Sequence, residues 1–550
     1  MKKIFLLLAA ITLLSGCSES FLDVDDLTKK NSQNFPKTPA DAEQMLPAIY
    51  RTLIEPNNPR TPFFVSEIMS DERFGAAGAD DRFARAIANF KVTDVNEYFT
   101  LWDNYYKGIF RANSLISSLD NVTWDNEEQR NQIEGEAYFM RAYYYFDLAR
   151  LFGTVPLVLD PLPQNNPRTE ASVLFAQIGA DLKMAIEKLP TTPYTPAWGA
   201  ANLGHATKWA AEGIMARAFL FYTGYYKQET MGEITKAQVI AWVDDCVKNS
   251  GHDLLPDFRS LWPYSYSKDY PYTKDNGLTY MGESGANIEA MFVHRHYGWD
   301  YTGRNLEQLF YGMRYQDDYK ACFPFGQGWG GGTVNPNTFA AWPTGDLRRK
   351  ASILDAKDPS EGVTYQPGKE NQMEDTWLFG KKYMPINVKK EDGSLLAYIK
   401  DMNPNYAFPT LDYMSENLQD YISLRFADVL LMGAELGSGQ AQSYLDRVRT
   451  RVKLPSVPVN IENIKAERRW ELAFEGVRYF DLLRWHDENL ITEHKTNVPV
   501  LNRGVDAKVN TKFRSETGGF LPVPLNQIEL SGGVLIQTPG WEPSDFTFTE

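Results

Sequence analysis

Aromatic side chains are concentrated between residues 262 and 342, among glycines, amides and acids. The segment at 296–305, HYGWDYTGRN, carries Trp299 and Tyr301, and the segment at 326–337, GQGWGGGTVNPN, carries Trp329 with five glycines nearby. Trp342 follows shortly after. Flat apolar rings suit the C–H faces of sugars, and amide and carboxylate groups can hydrogen-bond their hydroxyls. These four aromatic residues are therefore candidate ligand contacts.

A second polar segment lies at 70–83, SDERFGAAGADDRF, between two predicted helices. It provides charged groups in a loop, including Asp81 and Arg82. Loops carry binding residues more often than the elements they connect. This segment is therefore a second candidate region for ligand contacts.

The sequence contains no catalytic or cofactor motif beside these residues. GxSxG, HExxH and P-loop patterns do not occur, and GQGWGGGT lacks the lysine of a phosphate cradle, so it predicts a flexible turn. Acids are numerous, but glycoside hydrolysis needs two carboxylates about 5–10 Å apart. His294 and His296 would share a strand face, and such a pair alone is a weak metal site. We expect no enzyme, cofactor or metal.

The sequence predicts helices before and after these segments, from the periodicity of its apolar residues. In residues 135–151, Ala137, Met140 and Tyr144 recur at steps of three and four, and Gly153 follows as a stop signal. The helix at 205–222 carries small residues that would let a partner helix approach closely: Ala210, Ala211, Ala216 and Ala218. Further helices are predicted at 95–119, 172–189, 236–247, 421–435, 441–452 and 464–485.

This pattern predicts a mainly α fold with helix pairs similar to tetratricopeptide repeats, at irregular spacing. Residues 41–251 form the helical part, and residues 252–415 form an irregular, aromatic-rich ligand-binding region without helical periodicity. Residues 416–550 hold the C-terminal helices and a tail from residue 518 that is expected to wrap over the domain.

The N-terminus reads as a lipoprotein signal. Lys2 and Lys3 precede an apolar stretch at 4–14, which is shorter than the roughly 20 residues of a membrane span. The stretch ends in LSGC, a lipobox pattern that predicts a signal peptide at 1–16, lipidation at Cys17 and a tether at 17–40. The acidic residues at 21–26 resemble a surface-export signal, so we expect an outer-membrane protein facing outward.

Composition excludes several partners. The net charge is −15, and it becomes −17 without residues 1–16, which hold two lysines and no acid. Nucleic-acid binding needs a basic surface, so no nucleic acid is expected. Cys246 and Cys322 are the remaining cysteines. Two cysteines are no disulfide framework, and we interpret them as structural thiols, with one disulfide left open.

Five segments resemble the SusD/RagB family of nutrient-binding outer-membrane lipoproteins, in the family's order and over nearly the whole chain. RAYYYFDLARLFGTVPLV at 141–158 and ERRWELAFEGVRYFDLLRW at 467–485 are the most specific. Gly433 departs from the family, which more often has a larger residue there. The other segments are the lipobox with FLD at 21–23, YISLRFADVLLMGAE at 421–435 with YLDRVRTRVKLP at 444–455, and LPVPLNQIEL at 521–530 with QTPGW at 537–541.

The resemblance implies an all-α core with four tetratricopeptide-like helix pairs and an irregular region carrying the ligand site. It implies glycan capture at the cell surface and delivery to a SusC-like TonB-dependent transporter. Family members often place ligand contacts in a loop near 70–83, which makes Asp81 and Arg82 candidates. A peptide ligand, as in the RagB branch, and a protein-interaction scaffold without a small ligand are the alternatives. The charged residues at 467–484 are interpreted as ion pairs on a helix face, not as a catalytic cluster.

Overall fold

A computed structural model describes residues 35–54, 60–282, 285–298, 303–314, 321–366, 371–403, 413–414 and 416–546. In chain order, the α-helices of these residues are α1 (Pro39–Arg51), α2 (Pro62–Met69), α3 (Arg82–Ala88), α4 (Phe99–Ser118), α5 (Glu127–Phe152), α6 (Ala171–Lys188), α7 (Pro196–Asn202), α8 (Lys208–Tyr225), α9 (Lys236–Asn249), α10 (Pro271–Asn276), α11 (Leu306–Tyr311), α12 (Pro336–Ala341), α13 (Arg348–Ser352), α14 (Tyr398–Met402), α15 (Phe426–Leu436), α16 (Ala441–Arg451), α17 (Ile461–Glu471), α18 (Arg478–Trp485), α19 (Asn489–His494) and α20 (Leu525–Leu530).

The strands are short and occur in antiparallel pairs. β3 and β8 connect the middle of the chain to the start of the C-terminal helices. The pairs are β1 (Thr230–Met231) with β2 (Ile234–Thr235), β3 (Ala290–His294) with β8 (Tyr421–Arg425), β4 (Ile353–Asp355) with β5 (Leu378–Gly380), β6 (Asn387–Lys389) with β7 (Leu395–Ala397), and β9 (Val498–Asn502) with β10 (Val505–Val509).

The long helices begin and end at the residues that the sequence favours. Thr207 caps the first turn of α8, and Thr235 forms a capping box with Gln238 at the start of α9. Gly153 ends α5 with a positive φ of 77°, a conformation in which a Cβ atom is costly. These local signals explain why the helices predicted from the N-terminal half are confirmed within a few residues, apart from α5, which begins eight residues earlier.

Successive helices pack side by side into tetratricopeptide-like pairs. α4 lies against α5, α5 against α6, α6 against α8, and α8 against α9. The alanines of α8 are fully buried, as predicted from their size. Fully buried aromatic residues of α5, including Tyr144 and Tyr145, fill the interior of this stack. Burial of such rings is the main stabilising contribution here.

Two helix predictions in the C-terminal part are wrong in detail. Residues 421–425 form β8 instead of the start of a helix, because they pair with β3, and tertiary pairing overrides local pattern. The helix predicted at 464–485 is interrupted between α17 and α18. Phe474 and Gly476 have φ values of 64° and 77°, and a Cβ on Gly476 would meet the ring of Phe63 at 2.7 Å.

The break changes the ion pairs expected along that helix. Asp481 and Arg484 pair at 2.8 Å as predicted. Glu475 and Arg478 do not pair with each other: Glu475 accepts from Arg425 at 2.6 Å, and Arg478 donates to Asp71 at 2.8 Å. Apart from the Asp481–Arg484 pair, these charged residues therefore connect distant segments rather than neighbours on one helix.

The region at 252–415 is built from short elements, and no helix in its described residues exceeds six residues. Cys246 and Cys322 are both buried, and no disulfide joins them. The tail returns to the N-terminal half, where Leu521 N donates to Leu151 O at 2.8 Å. None of the helices in the described ranges is both long and apolar enough to cross a bilayer.

Candidate ligand-binding site

The two loops singled out in the sequence lie against each other. Arg73 forms a β-bridge with Val334. Phe74 N donates to Thr333 O at 3.0 Å, and Asn335 N donates to Glu72 O at 2.8 Å. These contacts join segments about 260 residues apart in the chain. The structure thus brings the 70–83 loop and the 326–337 segment into one site.

The glycines around Trp329 allow close backbone packing. Trp329 N donates to Leu309 O at 2.9 Å, and Gly330 N donates to Gly312 O at 2.7 Å. A Cβ on Gly312 would lie 2.8 Å from the Cα of Gly328, so a larger residue cannot replace either glycine without moving the backbone. The segment is a hydrogen-bonded layer on the end of α11, not the flexible turn that its composition predicted.

Trp329 is half-buried, with part of its ring at the surface. Its ring meets Phe310 edge-on, with centroids 6.5 Å apart. Phe310 packs edge-on against Phe64 at 4.9 Å, and Phe64 stacks with the half-buried Phe83 at 6.0 Å. The Arg60 guanidinium lies 4.4 Å from the centroid of Phe83. Buried rings thus hold two partly exposed rings in place.

Polar groups border these rings. Asp81 Oδ2 accepts from Gly78 N at 2.8 Å. Burial raises the pKa of Asp81, while this hydrogen bond and the nearby Arg314 oppose the shift. A Cβ on Gly78 would meet Arg314 Nη1 at 2.7 Å, and a Cβ on Gly330 would meet Arg314 Cβ at 2.7 Å. Arg314 therefore lies between the two loops. We call Trp329, Phe83, Asp81 and Arg314 the Trp329 surface.

Arg82, the other residue predicted in this loop, is exposed at the first position of α3. It lies next to Asp81 and Phe83 in the chain. Its side chain is thus accessible at the border of the Trp329 surface, where a polar ligand group could meet it.

The buried Arg73 holds the 70–83 loop against the 326–337 segment. It is 0% exposed. Its Nε donates to Glu67 at 2.7 Å, and its Nη1 donates to Gly332 O at 2.8 Å. The guanidinium also lies 4.3 Å from the centroid of the Tyr311 ring, within cation–π range. One buried cation thus fixes the glycine-rich segment and the helix that supports Trp329.

Buried carboxylates connect the 70–83 loop to the C-terminal helices. Asp71 receives bonds from Arg478 at 2.8 Å and His494 at 2.8 Å. Burial raises the pKa of Asp71, but Arg478 and Arg469 more than offset this and hold it well below its usual range. Glu72 is 1% exposed, and neither of its oxygens has a hydrogen-bond partner among the described residues. Burial raises the pKa of Glu72 to about 7.

Other predicted residues have different environments. Trp342 is 2% exposed and its ring lies 4.8 Å from that of Trp470. The protein itself covers Trp342, so we leave it out of the site. Trp299, Tyr301 and Cys17 lie outside the described residues.

His294 and His296 are both buried. His294 Nε2 lies 3.0 Å from Tyr143 Oη, and His296 Nδ1 lies 3.1 Å from Gly303 O. Burial lowers the pKa of His294 to about 3 and that of His296 to about 4. Their contacts are those of neutral core histidines, and the described residues contain no group of three metal-ligand side chains.

Sequence reasoning missed Phe83 and Arg314 as members of the site. Phe83 ends the 70–83 segment, but nothing local distinguishes it from a core residue. Arg314 follows α11 in a stretch without any motif. Only its contacts with Gly78 and Gly330 reveal its position.

Comparison with known proteins agrees with this architecture. A family model described as starch-binding and associating with the outer membrane matches residues 20–220. A model of the SusD family matches residues 326–541. The chain is 25% identical to SusD-like protein P2 of Formosa agariphila over 98% of this chain and 99% of that protein. It is 24% identical to a SusD-like protein of Bacteroides ovatus over 88% and 83%.

Solved structures of similar proteins share this fold. A laminarin-binding SusD-like protein superposes with a TM-score of 0.70 at 26% identity, covering 92% of this chain and 100% of that one. Surface glycan-binding protein A of Bacteroides thetaiotaomicron in complex with laminarihexaose has a TM-score of 0.69 at 20% identity, with the same coverage. The second likeness concerns the fold alone. With family models matching at both ends and relatives aligned over nearly its full length, the chain belongs to the SusD/RagB family.

Proposed function

We propose that this protein captures a glycan at the Trp329 surface, without chemical conversion. The observation that carries the proposal is the half-buried Trp329, whose ring is supported by the buried Phe310, with Asp81 and Arg314 near by. Rings of this kind bind sugar faces, and the charged groups orient hydroxyls. A solved relative at 26% identity is named as laminarin-binding, which makes laminarin the first glycan to test.

The proposal also includes the location of the protein and its transport partner. The protein is lipid-anchored at Cys17 in the outer membrane, faces outward, and passes its ligand to a SusC-like TonB-dependent transporter. Trp299, Tyr301 and Arg82 are further ligand contacts in this proposal. The lipobox and the family membership support the anchor and the partner.

Native affinity electrophoresis tests the proposal directly. A soluble form beginning at Ser18 is run through gels that each contain one polysaccharide, beginning with laminarin and including α-glucan, xylan, mannan and pectin. Retardation in one gel is expected. No retardation in any gel contradicts glycan capture by the isolated protein and favours a peptide ligand.

The Trp329→Ala variant then tests the site. Loss of one stacking ring is expected to weaken glycan affinity about tenfold, since aromatic contacts contribute on the order of 1–3 kcal/mol. Trp242→Ala is the matched control, because Trp242 is also half-buried against the core but lies on α9. Equal affinities of the two variants would contradict the assignment of Trp329.

A further inference from the structure

A cavity lies beside the part of the glycine-rich segment that precedes Trp329 in the chain. Its volume is about 220 Å³, far more than the roughly 10–15 Å³ that one water molecule requires. Pro385, two residues before β6, and Ala397, the last residue of β7, contribute to its apolar wall. We call it the amide pocket, after the four amide side chains among its lining residues: Gln308, Gln327, Asn387 and Asn417.

Two amides in this pocket are available to a ligand. The side chains of Gln327 and Asn387 are half-buried, and neither makes a hydrogen bond within the described part of the chain. By contrast, the other two amides of the lining are already bonded: Gln308 is 1% exposed and donates to Gln419 Oε1 at 3.1 Å, and Asn417 Nδ2 donates to Tyr413 O at 2.8 Å. The fold thus uses the deeper amides and leaves two others facing the cavity.

The remaining lining fits a neutral, hydroxyl-rich ligand. Tyr413 is 41% exposed at the rim and offers a ring face. Glu416 is the carboxylate of the pocket, and Lys400 Nζ lies 3.1 Å from it. Because this pair is neutral overall, the described lining residues carry no excess charge to attract an ionic ligand. Amides with donors and acceptors beside an aromatic ring match a sugar residue.

The pocket has a fixed position relative to the Trp329 surface. Gln327 precedes Trp329 by two residues, so their Cα atoms are at most about 7 Å apart. Gly326 N donates to Pro385 O at 2.7 Å and Gly328 N donates to Met313 O at 2.8 Å. These bonds hold the residues on both sides of Gln327. A chain ligand that extends from Trp329 towards Gln327 can therefore reach the pocket.

We propose that the amide pocket is a second subsite, which binds a neutral sugar residue of the same oligosaccharide chain that lies on the Trp329 surface. This inference rests on the proposed glycan-binding function. It makes affinity depend on ligand length, because a short ligand occupies one subsite and a long ligand occupies both.

Calorimetry with two ligand lengths tests the inference. The probes are laminarihexaose and laminaribiose, or the hexasaccharide and disaccharide of whichever polysaccharide retards the protein in gels. The double variant Gln327→Ala, Asn387→Ala is expected to bind the hexasaccharide about tenfold more weakly, since each lost hydrogen bond contributes about 0.5–1.5 kcal/mol. Its disaccharide affinity is expected to stay within about twofold of wild type.

Controls separate this inference from the proposed function. Tyr413→Ala is an independent variant of the same pocket and is expected to show the same length dependence. Gln228→Ala, an exposed amide on the opposite helical part, is expected to have no effect. If the pocket variants leave hexasaccharide binding unchanged while Trp329→Ala weakens it, the subsite is overturned alone. If wild type binds no polysaccharide, both proposals are overturned.

Discussion

The stack of helices α4 to α9 and the loop region at the Trp329 surface are held together in different ways. In the stack, rings and alanines of neighbouring helices form a continuous apolar core, and capping residues fix the ends. In the loop region, a buried guanidinium, close glycine backbones and paired carboxylates join distant segments. The geometry of the site therefore depends on a few specific contacts, whereas the stability of the stack depends on many similar ones.

The largest expected effect comes from removing the cation beneath the site. Arg73→Met leaves the buried Glu67 without its cationic partner, with the N–H of Gly476 still donating to it. It is expected to lower the free energy of unfolding by about 3–5 kcal/mol. Arg130→Met is the control, since Arg130 pairs with an exposed Asp120, and such pairs contribute about 0–1 kcal/mol. Urea unfolding measures both. A cost below about 1 kcal/mol at Arg73 would remove the basis of the comparison.

Two glycine substitutions, one in each region, test the same comparison and are expected to have a smaller effect on stability. Gly328→Ala places a methyl group against backbone atoms of Leu309 and Gly312, and is expected to cost about 1–3 kcal/mol. Gly213→Ala in α8 meets side-chain ends of Leu424 and Val429, which can move, and gains up to about 1 kcal/mol of helix propensity. Thermal unfolding should therefore separate the two. Equal shifts in Tm would contradict a rigid glycine-rich segment.

A smaller effect is expected in the pH dependence. The folded pKa of Glu72, about 7, is above the unfolded value of about 4.3. Protonated Glu72 therefore contributes stability fully below about pH 4.3, and this is lost as the pH rises through about 7. Glu72→Gln is expected to match wild type at pH 4 and to be more stable than wild type at pH 8, where the glutamate side chain is ionised while buried.

Asp181 provides the contrast in the helical stack. It accepts two bonds from Arg141, at 2.7 and 2.8 Å. Asp181→Asn leaves that cation poorly paired and is expected to destabilise the protein at pH 8. The loss should be smaller at pH 4, because burial raises the pKa of Asp181 and protonation already weakens the pair there. Denaturant unfolding at several pH values measures both variants. If Glu72→Gln is less stable than wild type at pH 8, the 3.8 Å ion pair between Glu72 and Arg469 outweighs the cost of burying the carboxylate.

Much of the fold could be predicted, because helix signals are local. Thr207, Thr235 and Gly153 fix helix ends through bonds within a few residues. β8 and the break before α18 could not be predicted. The first depends on pairing with a strand about 130 residues away, and the second on packing against Phe63.

The candidate site could be predicted only in part. Trp329 and the 70–83 loop were identified from residue type and neighbours, and the structure brings them together. Trp342 has the same residue type but is buried against Trp470. Residue type alone does not distinguish a presented ring from a packed one, because burial depends on which distant segment covers it.

The sequence by itself determined the family, the helical character and the two segments that could carry a ligand. These follow from periodicity, capping residues and motifs, which act over a few residues. Only the tertiary structure decided which side chains share one surface. Arg73, Arg314 and the amides of Gln327 and Asn387 gain their roles from neighbours that are distant in the chain. Contacts of that kind form only when the chain folds, so no local pattern encodes them.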